Sequence, residues 1–154
     1  MNAITFFVVG VPKPSGSKRC FALKKAGIYT GRVVVTDDCR KSGDWKSDVR
    51  AAATENYAGP LLTGPLVMEL TFFFTRPKSH FGSGKNADKL KAGAPEYPCG
   101  KPDLTKIVRG VEDALTSIIW KDDAQIVRQH VEKCYAEKPG VWINIEMQKT
   151  DYPA

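Results

Sequence analysis

No two cysteines in this 154-residue chain stand at CxxC spacing: Cys20, Cys39, Cys99 and Cys134 lie far apart. That scatter argues against a zinc ribbon or a thiol redox motif and fits a reducing, cytoplasmic compartment. No stretch approaches the ~20 apolar residues that a membrane span needs, so no membrane partner is expected. The N-terminus, MNAITFFVVGVPKP, has no basic region ahead of its short apolar run. It reads as a strand and not as a signal peptide. No internal repeat and no break in composition divides the chain, which points to a single domain over residues 1–154.

What is present is ordinary for a folded protein: 42% hydrophobic and 26% charged residues. Lys plus Arg exceed Asp plus Glu by 23 to 17, a net charge of +6 that favours a polyanionic partner. Ala3–Val9 and Leu66–Phe74 (LVMELTFFF) carry the apolar, β-branched and aromatic content of strands. Gly31–Thr36 reads as a strand paired with Cys20–Leu23. Ser42 can cap a helix over roughly Asp44–Tyr57, whose Trp45, Val49, Ala52, Ala53 and Asn56 share one face. Gln125–Tyr135 and Val141–Met147 read as two closing strands joined by a turn at Lys138–Gly140. The order β-β-β-α-β-α-β-β predicts an α+β domain, a mixed sheet with two main helices packed on one face.

Two segments depart from this regularity. Residues 75–101, TRPKSHFGSGKNADKLKAGAPEYPCGK, form a long basic loop rich in Gly and Pro. Loops of this length inside a domain are usually functional or disordered. After it, Asp103–Ile118 predicts an amphipathic helix, with Leu104, Ile107, Val108, Val111, Ala114, Leu115 and Ile118 in one apolar stripe. Thr105, Lys106, Arg109, Glu112, Asp113 and Thr116 fall off it. The helix leads into IIWKDDAQIV, residues 118–127, where Asp122 and Asp123 stand side by side with no Gly or Pro to mark a turn. Adjacent carboxylates repel, so the pair is read as a solvated turn, a helix cap, or part of a metal site in which carboxylates hold Mg²⁺ or Mn²⁺.

The text PDLTKIVRGVEDALTSIIWKDDAQIV resembles the RusA family of Holliday junction resolvases. The match is carried by Pro102-Asp103-Leu104, then Asp113-Ala114-Leu115, then Asp122-Asp123-Ala124-Gln125. The segments PKPSGSKR and PKSHFGSGKNADKLKAGAPEYP are similar to those of phage-encoded members. The resemblance implies a homodimeric endonuclease, dependent on Mg²⁺ or Mn²⁺, that nicks four-way and other branched DNA in a bacterial host. Family acidic positions fall on Asp103 and Asp123, with Asp122 beside the latter, and the family's helix lysine falls on Arg109. Lys121 is placed to meet a phosphate. Thr105 stands where the family often has a second Asp, and Lys106 where it has Asn. That departure opens a second expectation, a junction-binding protein with weakened catalysis, and makes Glu69 on the Leu66–Phe74 strand a candidate replacement carboxylate. Lys13, Lys18, Arg19, Arg76, Lys78, His80, Lys85, Lys89, Lys91, Lys101 and Lys106 are candidate DNA contacts. Phe81 or Tyr97 is a candidate wedge into an opened junction.

Chain length bears on the metal site. A helix from Asp103 to Ile118 separates its ends by ~22 Å. The five residues back to Asp123 reach at most ~17 Å. One subunit therefore has difficulty placing both acids on one ion, whereas a two-fold axis could set Asp103 of one subunit against Asp123 of the other.

Overall fold

The alternation in LVMELTFFF sets the architecture, because a strand at the centre of a sheet offers one side chain to each face in turn. The computed structural model describes residues 3–16, 18–37 and 42–149. Its elements run β1 (Ile4–Val9), β2 (Lys18–Lys25), β3 (Ile28–Asp37), α1 (Ser42–Asn56), β4 (Leu66–Phe74), α2 (Leu104–Leu115), β5 (Ile126–Tyr135) and β6 (Gly140–Met147). Four strands form one mixed sheet in the order β1-β6-β4-β5, with β4 and β5 parallel and the other pairs antiparallel. β2 and β3 form a separate two-stranded ribbon. Its turn uses Ala26 and Gly27, both at positive φ (51° and 81°), the combination that a tight two-residue hairpin requires. The fold is α+β with two helices, as expected, and the pairing of Cys20–Ala22 with Val33–Val35 lies within that ribbon.

Leu66, Met68, Leu70 and Phe72 are fully buried on one face of β4, with Phe6 and Val8 of β1 and Val141, Ile143 and Ile145 of β6 in the same core. Helices α1 and α2 supply its other half through Trp45, Val49 and Ala53 and through Ile107, Val108, Val111, Ala114 and Leu115. α2 bridges β4 and β5, as a parallel pair demands a long crossover.

Two local expectations need correction. β5 and β6 are not a hairpin, because β4 lies between them and pairs with both. The link 136–139 therefore crosses two strand spacings, roughly 9.5 Å. It is held by Ala136 N–H donating to Phe74 O (2.9 Å) and Gly10 N–H to Pro139 O (3.1 Å). α2 stops at Leu115, three residues short of the periodicity, since Ser117 takes a φ of 69° and its N–H donates to Trp120 O at 2.7 Å. The long loop has structure of its own. 3₁₀ turns occupy Lys78–His80 and Gly84–Asn86, and backbone bonds join Gly82 to Lys89 (2.9 Å) and Lys91 to His80 (2.9 Å).

A glycine inside α2 has a packing reason. A Cβ on Gly110 would lie 3.3 Å from the carbonyl oxygen of Lys13, so its absence lets residues 11–16 cross the helix closely. Ser15 is buried there, its N–H donating to Lys106 O at 3.0 Å.

Candidate active site

The WKDDAQ segment is built by two side chains that serve the backbone and one that does not. Asp122 caps the 3₁₀ turn Asp123–Gln125, accepting from Ala124 N–H at 2.9 Å. Gln125 completes the cap, its Oε1 accepting from the N–H groups of Lys121 (3.0 Å) and Asp122 (3.1 Å). The amide nitrogen of Gln125 then donates to Leu62 O (2.9 Å) and Gly64 O (3.2 Å), stitching this turn to the chain entering β4. Gln125→Ala strands these backbone groups and is expected to cost about 1–3 kcal/mol, measurable as a lower urea midpoint.

Asp123 is different. Its Oδ1 accepts from Trp120 Nε1–H at 2.9 Å and from the Thr116 hydroxyl at 2.5 Å. The same hydroxyl lies 2.9 Å from Glu112 O, but it has one proton, and the charged acceptor is the stronger. Trp120 is fully buried, so the carboxylate is aimed by a core residue. Among the described residues no hydrogen bond engages Oδ2, which leaves it for a ligand.

Glu112, one helical turn before Thr116, faces the same region. Its Oε1 accepts from the Gln129 amide on β5. Burial raises its pKa above the ordinary carboxylate value, the Gln129 hydrogen bond opposes this, the charges of Asp123 and Asp113 add to it, and Arg109 opposes it. Asp113 is engaged elsewhere, in an ion pair with Lys46 (2.8 Å) and 3.3 Å from the Ser15 hydroxyl, joining α2 to α1 and to the crossing loop. Between α2 and β5 runs an open groove of about 560 Å³ lined by Leu104, Thr105, Lys106, Val108, Arg109, Glu112, Gln129 and Val131.

The expected site residues are only partly brought together. Asp103 is the N-cap residue of α2, with its exposed carboxylate 3.5 Å from Lys106. Thr116, beside Asp123, is thirteen positions further on, about 20 Å along a helix. Thr105 and Arg109 line the groove, and Lys121 is exposed. Glu69 is on the sheet face opposite the buried row of β4, where it accepts from Asn144 Nδ2 at 3.3 Å, so it cannot join Asp123. The acid beside Asp123 is Glu112, which lies off the apolar stripe and outside the motif that carries the family resemblance. The signal was its position two turns after Thr105 and one before Thr116. Gln129 gave no signal of its own.

The basic positions differ in what they can offer DNA. Arg76 donates to Pro95 O (2.7 Å) and Glu96 O (3.3 Å), and its guanidinium sits 4.3 Å from the Tyr135 ring centroid, so it braces the long loop. His80 packs edge-on against the same ring. Lys91 reaches Ser79 O at 2.9 Å. Lys78, Lys85, Lys89, Lys101 and Lys106 are exposed, and Lys13 is half-buried. Lys18 and Arg19 belong to β2, but their side chains lie outside the described residues, as do those of Cys20 and Cys39. Phe81 is half-buried and bridges to Leu90, whereas Tyr97 is exposed.

Residues 11–146 match the family described as Endodeoxyribonuclease RusA. The chain belongs to that family, which makes it an endodeoxyribonuclease by descent. It is 35% identical over 145 residues to the uncharacterized protein YqaN of Bacillus subtilis (strain 168), covering 94% of this chain and 96% of that one. Nucleases of this family generally depend on a divalent metal. Among the described residues, no three His, Cys, Asp or Glu side chains gather to hold one. The donors present nonetheless suit a hard cation. Mg²⁺ commonly takes one or two carboxylates and completes its shell with water and substrate phosphate, and the free Oδ2 of Asp123 is such a donor. No helix among the described residues is long and apolar enough to cross a membrane.

Proposed function

We propose that this protein nicks four-way or otherwise branched DNA as a homodimer in a reaction that requires Mg²⁺ or Mn²⁺. The observation that carries the reading is Asp123: one oxygen fixed by Trp120 and Thr116, the other free of hydrogen bonds among the described residues. Asp123 is the metal-binding carboxylate, and Asp122 holds the turn that presents it. A bound cation supplies an activated water and offsets charge at the scissile phosphate. Arg109, exposed in the groove, and Lys121, exposed beside Asp123, meet the developing phosphate charge. The exposed lysines of the long loop position the DNA backbone without reading its sequence.

Asp103 enters through the dimer. About 20 Å of helix separates it from the Asp123 region in its own subunit, so the partner subunit's Asp103 completes the ion's shell across a two-fold axis. This arrangement suits a symmetric junction, which needs two symmetric nicks. Thr105 favours a second reading, a junction-binding protein of reduced activity, because it puts a neutral hydroxyl in the groove where family members often carry a carboxylate.

The deciding experiment offers a synthetic four-way junction and a matching linear duplex to the protein with Mg²⁺, Mn²⁺ or EDTA. Paired nicks on the junction alone, lost in EDTA, are expected. Tight junction binding without cleavage in either metal would select the second reading.

A further inference from the structure

The loss of charge at position 105 draws attention to what else this chain places in the groove. Glu112 lies seven residues after Thr105, two helical turns or about 10.5 Å along the same face of α2. It cannot put an oxygen where an aspartate at 105 would, but it stands beside the other acid of the site. Thr116 follows Glu112 by one turn, its hydroxyl contacting the Glu112 backbone carbonyl and the Asp123 carboxylate, and the charge of Asp123 acts on the Glu112 side chain.

The two carboxylates are prepared in the same way. Glu112 has Oε1 held by the Gln129 amide, and Asp123 has Oδ1 held by the Trp120 indole and the Thr116 hydroxyl. Among the described residues neither second oxygen has a hydrogen bond. Outer partners that fix one oxygen and leave the other free are the usual support of metal-ligating carboxylates. The remaining acid on this stretch of helix, Asp113, is neutralised by Lys46. Arg109 is the cation of α2 nearest to Glu112 in sequence, and it is exposed. Two half-buried carboxylates, with the exposed Arg109 and Lys121 free to meet phosphate, form a site that a dication would complete.

We propose that Glu112 is a metal ligand paired with Asp123 in the same subunit, so that the cation sits toward the C-terminal end of α2 and not at Thr105. The proposal rests on the metal-dependent nuclease reading and gives it a second ligand from the same subunit. It makes Thr105 tolerable, because the charge absent there is returned two turns later.

The test measures Mn²⁺ binding to the metal-free, DNA-free protein by calorimetry, together with the Mn²⁺ concentration that gives half-maximal junction cleavage. Glu112→Gln keeps an oxygen for Gln129 and so preserves the contact to β5. It is expected to weaken Mn²⁺ binding at least tenfold and to raise the half-maximal Mn²⁺ concentration by a similar factor. Asp123→Asn should do the same, and the double variant should lose little more than either alone, since both serve one ion. Glu69→Gln, on the far face of the sheet, should change neither measurement. Melting temperatures confirm that each variant is folded. If Glu112→Gln matches the wild type in both measurements while Asp123→Asn does not, the nuclease reading stands and the assignment of Glu112 falls. If the wild type neither binds Mn²⁺ nor cleaves with it, the nuclease reading falls and takes Glu112 with it.

Discussion

Asp123→Asn is expected to bind a four-way junction within about twofold of the wild type and to cleave it about a thousandfold more slowly, or not at all. A metal ion at a scissile phosphate supplies several kcal/mol of transition-state stabilisation, and a thousandfold corresponds to about 4 kcal/mol. The substitution is chosen to separate chemistry from folding. Asn keeps an oxygen for Trp120 Nε1–H and the Thr116 hydroxyl, and it keeps the volume of Asp. What changes is the other position, where a carboxylate oxygen becomes an amide N–H₂ that repels a cation. Single-turnover cleavage with gel-shift binding on the same samples checks both halves. Wild-type cleavage by Asp123→Asn would remove Asp123 from the site.

Substitutions at Trp120 should show how far the core and the site depend on each other. Trp120 is fully buried, and Trp120→Ala is expected to cost about 3–5 kcal/mol, the range for emptying a large aromatic position. Trp120→Phe retains most of the packing but has no N–H for Asp123. Its stability loss should be smaller, while junction cleavage should fall about tenfold to a hundredfold, as when an outer partner of a metal ligand is removed. Denaturant unfolding read beside cleavage rate distinguishes the two variants. If Trp120→Phe cleaved at the wild-type rate, the indole hydrogen bond would be a matter of stability only.

Much of the fold was legible because its signals are local. The alternation of β4 survives from Leu66 to Phe73, and the apolar stripe of α2 faces the core as the spacing requires. What was not legible depends on partners remote in sequence. Nothing in Gln125–Met147 says that β4 will insert between β5 and β6; that follows from β4 needing neighbours on both edges. The early end of α2 came from Ser117 adopting a positive φ, which propensity does not anticipate for serine. The family resemblance marked Asp103, Asp122 and Asp123 as acids of one kind, and the structure gives them different surroundings. Asp122 caps a turn, Asp103 starts a helix, and only Asp123 is held by the core. Glu112 was hidden because its neighbour is set by where the chain turns back, not by any spacing along the helix.

The parallel pairing of β4 with β5 has a bearing on when the site comes into being. Leu66 meets Ile126 across sixty positions of chain, so this contact closes a long loop and forms against a substantial entropic cost. Pairings of this kind are slow steps in folding. Gln125 clamps the turn to residues 62 and 64 at the mouth of that pair, and Gln129 reaches Glu112 only once β5 is in place beside α2. A nascent or partly unfolded chain carries every acidic residue of the motif without their arrangement. The arrangement of the site therefore depends on long-range pairing of the chain and not on the motif alone.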